Sequence, residues 1–220
     1  MATIESGVLQ TITPVSHDLG GFKVHRTLPA KERTMVGPFI FVDEFGPARL
    51  PAGQGMDVRP HPHINLATVT YLFEGAIGHR DSIGSNAVIE PGAINLMTAG
   101  SGIVHSERSP EQVRAEGPSL YGMQTWIALP DGGEEVAPAF DHVPAAELPM
   151  VEDKGASARV LMGGQAFSTR RYVFWNFVSS SRDRINQAKE DWKALRFPLI
   201  PGDDDEFIPL PEVPKTVSYP

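Results

Sequence analysis

The 220-residue sequence contains no cysteine. This absence excludes disulfide bonds, zinc sites with cysteine ligands, iron–sulfur clusters and thiol catalysis. Positive charge is also scarce and scattered: 19 Lys and Arg stand against 27 Asp and Glu, which gives a formal net charge of −8. Binding to phosphate backbones needs clustered Lys and Arg, so we expect no direct nucleic-acid ligand.

Long apolar runs are missing as well. No apolar stretch approaches 18 residues, and residues 1–6 form neither a basic nor an apolar leader. The sequence therefore predicts a soluble protein without a membrane segment, and we expect a cytoplasmic location.

Turn-forming residues are abundant by contrast. The chain has 21 Gly and 20 Pro, and 41% of its residues are apolar. Short β-branched or alternating segments recur between Gly- and Pro-containing turns from residue 7 to residue 129, which predicts an all-β sandwich or barrel. Residues 46–55 and 131–158 are predicted to be loop, and the predicted strands include a leading one at 7–16 and others at 103–108 and 158–162. One short C-terminal helix is predicted over 182–195, before an acidic, Pro-rich tail.

Two short motifs carry the predicted chemistry. His61 and His63 are separated by one residue, and His105 and Glu107 repeat this spacing 42 positions further on. Alternate residues of a strand share one face, so each pair directs two side chains into the same space. Three imidazoles and one carboxylate suit Fe, Mn, Ni, Cu or Zn better than Mg or Ca. Four protein ligands leave positions open on an octahedral ion, which favours a chemical over a structural role.

Simpler interpretations apply to other residues. A single His-x-His is more often a hydrogen-bonded pair than a metal site, and only the presence of the second motif makes metal binding the favoured interpretation. We expect His79 to be structural, pointing outward and bonded to Asp81. Three further histidines are predicted at the surface, namely His17, His25 and His142. Ordinary core packing is the favoured interpretation for any single apolar residue near the site. Six of them could together line a pocket above the metal, namely Phe39, Phe41, Phe45, Met97, Met123 and Trp126.

Longer stretches of the sequence resemble the pirin family of the cupin superfamily. The resemblance is carried by residues 59–63, 68–71, 79–82, 97–100, 102–107 and 175–181. It implies a cupin double-stranded β-helix, a jelly-roll barrel, over residues 1–135, followed by an abbreviated second cupin region over 136–220. The region between Gly133 and Tyr172 is too short for most of a second barrel. A further departure is Ala67, where relatives commonly carry Glu.

The resemblance also implies a function. Pirin-like proteins hold one iron through residues corresponding to His61, His63, His105 and Glu107, and they are associated with quercetin 2,3-dioxygenase activity. We therefore expect Fe(II), with Mn, Ni, Cu or Zn as alternatives, an aromatic flavonol-like substrate and O₂. Glu107 is expected to be both ligand and catalytic proton acceptor. The rival hypothesis is a non-catalytic regulator that binds another protein in an iron- or redox-dependent way. Independently of this choice, the shortened C-terminal region could support a homodimer or bind a protein partner.

Overall fold

The protein is built around two facing β-sheets. The computed structural model describes residues 8–18, 22–159, 164–212 and 216–218. The first sheet has seven antiparallel strands, which in spatial order are β1 (Val15–Asp18), β2 (Lys23–Leu28), β3 (Phe39–Arg49), β10 (Ser119–Ala128), β5 (Leu66–Gly75), β8 (Ile94–Thr98) and β11 (Ala139–Val143). The second has four, which are β4 (Asp57–His63), β9 (Ile103–Arg108), β6 (Ile77–Asp81) and β7 (Asn86–Ile89).

An apolar cluster closes one end of the space between the sheets. It joins residues from both of them, including Phe45 and Leu72 of the larger sheet and Ile77 and Ile89 of the smaller. Burial of these side chains supplies the main driving force for bringing the sheets together. The predicted all-β cupin barrel is thereby confirmed.

The C-terminal region packs on both sheets: its helix contacts the four-stranded sheet, and Leu148 packs in one cluster with Val69 and Ile94 of the larger sheet. Its elements are two small sheets, a short 3₁₀ turn and one long helix: β12 (Met150–Asp153) with β13 (Ala156–Arg159), β15 (Phe177–Ser179) with β14 (Tyr172–Phe174) and β16 (Thr216–Ser218), and α2 (Arg182–Lys193). The outward-facing Ile64 and Val104 pack into one cluster with Phe177, Ile185 and Trp192. This cluster fixes the C-terminal region behind the strands that carry the two motifs.

The predicted C-terminal helix is confirmed, and its start has a local cause. Ser181 is the N-cap, and its side chain accepts a hydrogen bond from the backbone N–H of Arg184. Ile185, Ala188 and Trp192 are the buried residues of the helix, as expected for a stripe at helical spacing. Among the described residues no helix is long and apolar enough to cross a membrane.

Several sequence predictions about local structure were wrong. Residues 131–158 are not loop throughout, since β11, β12 and most of β13 fall there. The segment 46–49 continues β3 instead of starting a loop, and the leading strand begins at Val15. A short helix, α1 (Glu111–Glu116), was not predicted. The expected strand at 158–162 lies partly outside the described residues. The division into domains at residue 135 stays a prediction; β11, beyond it, pairs with β8 of the barrel.

Candidate metal centre

Strand pairing brings the two motifs together. In the register of β4 and β9, His61 lies opposite His105, and a bulge separates this pair from the Val58–Glu107 pair. Directly opposed residues of antiparallel strands project from the same face. The side chains of both motifs therefore enter the space between the two sheets.

Three imidazoles converge at this point. The ring centroids of His61 and His105 are 4.4 Å apart, and that of His63 lies 5.0 Å from His61 and 4.9 Å from His105. One nitrogen from each ring can be chosen so that all three lie within 4.8 Å of one another. The three residues are at most 6% exposed, so the group lies inside the barrel.

The protonation of these rings suits metal binding. Burial, with smaller effects from neighbouring charges, lowers the pKa of His61 to about 4 and holds those of His63 and His105 well below the usual range. All three are thus neutral near pH 7, the form that binds metals. Nδ1 of His61 lies 2.8 Å from the carbonyl oxygen of Arg59. Since a carbonyl can only accept, Nδ1 carries the proton and Nε2 keeps its lone pair.

The spacing of the nitrogens also fits an ion. Nε2 of His63 and Nε2 of His105 are 3.1 Å apart. Two nitrogens bound at right angles, each at about 2.1 Å from a metal, would be separated by about 3.0 Å. In both rings Nδ1 is buried without a hydrogen-bond partner among the described residues. The donor set and its spacing therefore fit a divalent first-row metal.

Glu107 lies on the same face of β9 as His105, but it is outside the group of three histidines. Its Oε1 accepts a hydrogen bond of 2.9 Å from Nε2 of Gln124 on β10. Gln124 in turn accepts one of 3.1 Å from Nε1 of Trp126. Burial raises the pKa of Glu107, although the charge of His79 and the Gln124 bond oppose this effect. Its role as fourth ligand stays a prediction.

His79 does not point outward as expected. It is 2% exposed, lies opposite Glu107 in the β6–β9 pairing, and stacks on Phe140 with a centroid distance of 4.3 Å. The expected bond to Asp81 does form, with the imidazole Nε2–H donating to Oδ2 over 3.1 Å. The alternation of strand β6 explains the correction, because both residues share the inward face.

Asp81 is fully buried, and its carboxylate is held by several donors. Burial alone would raise its pKa, but the hydrogen bonds from His79 and Ser85 outweigh this effect, and the pKa lies below its ordinary value of 3.8. Oδ1 accepts the backbone N–H of Ile83 and of Ser85, at 3.1 and 2.8 Å. The ionised form is therefore the one that the folded protein prefers.

Asp81→Asn is expected to destabilise the metal-free protein by about 1–3 kcal/mol, because a charge-assisted hydrogen bond to His79 is lost. A carboxyl whose pKa is lowered on folding stabilises the protein fully above its ordinary pKa, and this stabilisation disappears as the pH falls below about 3.8. Urea unfolding at pH 7 and at pH 3 tests both points. The difference between wild type and variant should shrink at the lower pH, and an equal difference at both would contradict the assignment.

Aromatic side chains continue the site on the larger sheet. Trp126 meets His63 edge-on, with a centroid distance of 5.0 Å, and Phe41 stacks on Trp126 at 4.2 Å. Of the predicted pocket residues, these two extend from the histidines, and Trp126 also packs against the apolar cluster that contains Met97. Phe45 belongs to another apolar cluster. The sequence did not single out Gln124. The available signal was its position two residues before Trp126, because residues at this spacing on a strand share one face.

The remaining predicted residues lie elsewhere. His142 is exposed, as expected, yet its Nδ1 bonds Oδ1 of Asn95 at 2.7 Å. His25 contacts the hydroxyl of Ser16 at 3.0 Å in an exposed setting. Ser106 faces away from the site, where its hydroxyl donates to Asp203. Strand alternation, not nucleophilic catalysis, accounts for a serine between two inward-facing residues.

Comparison with known sequences identifies both halves of the chain. The sequence profile described as Pirin matches residues 21–127, and the Pirin C-terminal cupin domain profile matches residues 142–198. A pirin-like protein of Caulobacter vibrioides is 40% identical, over 89% of this chain and 96% of the relative. That alignment runs over 279 residues, more than this chain contains, so part of the relative has no counterpart here.

Two further relatives carry the name of an activity. A Pseudomonas aeruginosa protein provisionally named quercetin 2,3-dioxygenase is 43% identical over 72% of this chain, which spans 49% of that protein. The crystal structure of quercetin 2,3-dioxygenase from Acinetobacter baumannii superposes with a TM-score of 0.80 at 28% identity. The match covers 93% of this chain and 95% of that one, so the two proteins have a similar extent.

Proposed function

This chain belongs to the pirin family of cupin proteins, and on that premise we propose that it is a mononuclear metal-dependent dioxygenase acting on a flavonol or a related hydroxy-ketone. The observation that carries the proposal is the convergence of three buried, neutral imidazoles in the barrel, which are His61, His63 and His105. The relatives named as quercetin 2,3-dioxygenases supply the substrate class. Iron is the proposed metal, with O₂ as co-substrate.

The proposed roles follow from the positions of the side chains. His61, His63, His105 and Glu107 would hold the metal, and when bound it would supply Lewis acidity and redox chemistry. Glu107 would accept the proton of the substrate hydroxyl, because it is a buried carboxyl group two residues from His105 on the same strand. Gln124 would keep that carboxyl oriented through its bond to Oε1.

The surroundings of the imidazoles support an aromatic substrate. Trp126 borders His63 and is continued by Phe41, so one wall beside the site is flat and aromatic. Aromatic rings prefer offset or edge contacts of this kind, which would orient a planar ligand. The low exposure of the histidines would also limit the access of water to the reaction.

Iron-loaded protein is expected to consume O₂ when quercetin is added, with loss of the flavonol absorbance at the same rate. The physical reason is that a substrate with adjacent hydroxyl and carbonyl oxygens can bind through both to an ion with open positions. An oxygen electrode combined with absorbance spectroscopy measures the two rates.

Glu107→Gln is the matched variant, because it keeps the size of the side chain while removing its capacity to accept a proton. We expect a loss of at least about 100-fold in turnover, the lower range for a positioned proton acceptor. Absence of O₂ uptake by the iron-loaded wild type across several flavonols would contradict the dioxygenase proposal for that substrate class.

A regulatory function is the second candidate, and one observation favours it. The C-terminal region carries a cleft of about 650 Å³, whose border is mostly apolar but includes three charged residues, namely Lys189, Lys193 and Glu212. A mostly apolar cleft of this kind can receive a protein segment. Co-precipitation whose yield changes between Fe(II)- and Fe(III)-loaded protein would support this function, and yields independent of the metal would count against it.

A further inference from the structure

Residues 202–208, here called the strap, cross the outer face of the four-stranded sheet. At one end, Arg80 on β6 donates a hydrogen bond of 3.2 Å to the carbonyl oxygen of Gly202. At the other end, the backbone N–H of Ile208 donates to the carbonyl oxygen of Pro60 on β4 over 2.8 Å. The strap is thus attached to the strands on both sides of β9.

Asp203 attaches the strap to β9 itself. Its Oδ2 accepts hydrogen bonds from the hydroxyl of Ser106 at 2.6 Å and from Nε of Arg108 at 3.0 Å. Its Oδ1 accepts a bond of 2.8 Å from the second guanidinium nitrogen, which also donates to Glu206 at 3.0 Å. The Asp203 side chain is only 11% exposed. Bidentate, charge-assisted bonds that are partly shielded from water are the stronger and more directional kind.

The attached residues alternate with the predicted ligands. Ser106 stands between His105 and Glu107, and Pro60 directly precedes His61. On a strand, neighbouring residues point to opposite faces while sharing one backbone. A contact that fixes an outward side chain therefore also fixes the backbone positions of the neighbouring residues, whose side chains point inward.

We propose that Asp203 is a positioning residue for the metal centre, acting from the outer face of the sheet through Ser106 and Arg108. The inference rests on the proposed metal centre and extends it to a segment that touches none of the ligand side chains. The strap holds β4, β9 and β6 in a fixed relation, so that the imidazoles from two strands meet at the spacing an ion requires. Because coupling is reciprocal, a bound ion also favours the attached state of the strap.

The neighbouring Asp204 provides a matched control. It is exposed and forms no hydrogen bond or ion pair within the described part of the chain. Asp203→Ala and Asp204→Ala remove the same carboxylate from adjacent positions and change the net charge equally. Any difference between the two variants therefore reflects the contacts of Asp203.

Zn(II) binding to the whole protein, measured by competition with a chromophoric chelator, tests the proposal. Asp203→Ala is expected to bind Zn(II) about tenfold more weakly than wild type, the lower end of what supporting partners of metal ligands contribute. Asp204→Ala is expected to stay within about twofold, since it loses no contact that leads to β9. Hydrogen exchange provides the second measurement: Zn(II) should slow exchange in both 103–108 and 202–208 in wild type, and in Asp203→Ala only in 103–108.

The possible outcomes separate the two proposals. Zn(II) affinity of a folded Asp203→Ala within twofold of wild type overturns the positioning role while leaving the metal centre intact. Failure of the wild type to bind Zn(II) overturns both. If Asp203→Ala does not fold, Ser106→Ala replaces it, because this variant removes a single hydrogen bond and keeps the ion pair with Arg108. Undiminished affinity in that variant, with unchanged exchange of the strap, also overturns the proposal.

Discussion

His105→Ala is expected to reduce the metal content of loaded protein to less than about a tenth of the wild-type value. His105 is the central member of the triad, since it lies opposite His61 in the strand pairing and its Nε2 is 3.1 Å from that of His63. Supporting partners of a ligand already contribute 10- to 100-fold to metal affinity, and the ligand itself contributes at least as much. Metal per chain after loading and buffer exchange, measured by mass spectrometry, gives the result.

His25→Ala is the matched control for this experiment. His25 is a strand residue too, but it contacts the exposed hydroxyl of Ser16 and belongs to the larger sheet, whereas the triad is carried by the strands of the smaller one. It should retain the wild-type metal content. Circular dichroism of both variants checks that the barrel is folded. A folded His105→Ala that holds as much metal as wild type would show that the three imidazoles do not form the site.

Trp192→Ala is expected to destabilise the protein by about 3–5 kcal/mol, which is the usual range for removing a buried aromatic side chain. Trp192 is 6% exposed and lies at the centre of the C-terminal cluster. Its ring contacts Phe197 and Phe207 at centroid distances of 5.7 and 5.6 Å, and its Nε1–H donates to the carbonyl oxygen of Ile208 at 3.1 Å. The variant loses packing on several sides and leaves that carbonyl without its donor.

Urea unfolding followed by far-ultraviolet circular dichroism measures this loss. Leu199→Ala is the control, because Leu199 is also apolar but 63% exposed, and its removal should change the free energy of unfolding by less than about 0.5 kcal/mol. Trp192→Phe, which keeps most of the ring packing, should fall between the two. A loss below about 1 kcal/mol in Trp192→Ala would mean that the C-terminal region contributes little to the stability of the barrel.

The sequence predicted the inward face of the barrel best where alternation was regular. Strand β9 was predicted with its observed bounds, and His61, His63 and His105 converge as the i, i+2 spacing indicated, while Glu107 lies outside their group. The family resemblance then gave the fold, because no local pattern could order the strands in space. Helix α2 was found for a similar reason: its cap and its apolar stripe are both encoded within a few residues.

Predictions failed where the deciding contact was distant in sequence. Residues 139–143 lie between Pro138 and Pro144 and were therefore predicted to be loop, and they become β11 only because β8 offers an unpaired edge. His79 was expected outside because it begins a strand-turn segment in the sequence, whereas the packing of Phe140 and the carboxylate of Asp81 make its burial favourable. Likewise, nothing near Asp203 in the sequence indicates that it bonds a residue 97 positions away.

The regular alternation along β9 makes this strand unusually sensitive to changes in length. His105 belongs to the triad inside the barrel, and Val104 belongs to the apolar cluster behind the sheet. Removing one residue upstream in the strand would exchange the two faces, so that an imidazole would enter the outer cluster and a valine would face the other two histidines. Only insertions or deletions of two residues at a time should therefore be tolerated here, because they keep each side chain on its face of the strand. A single substitution by a residue of similar polarity leaves this alternation unchanged.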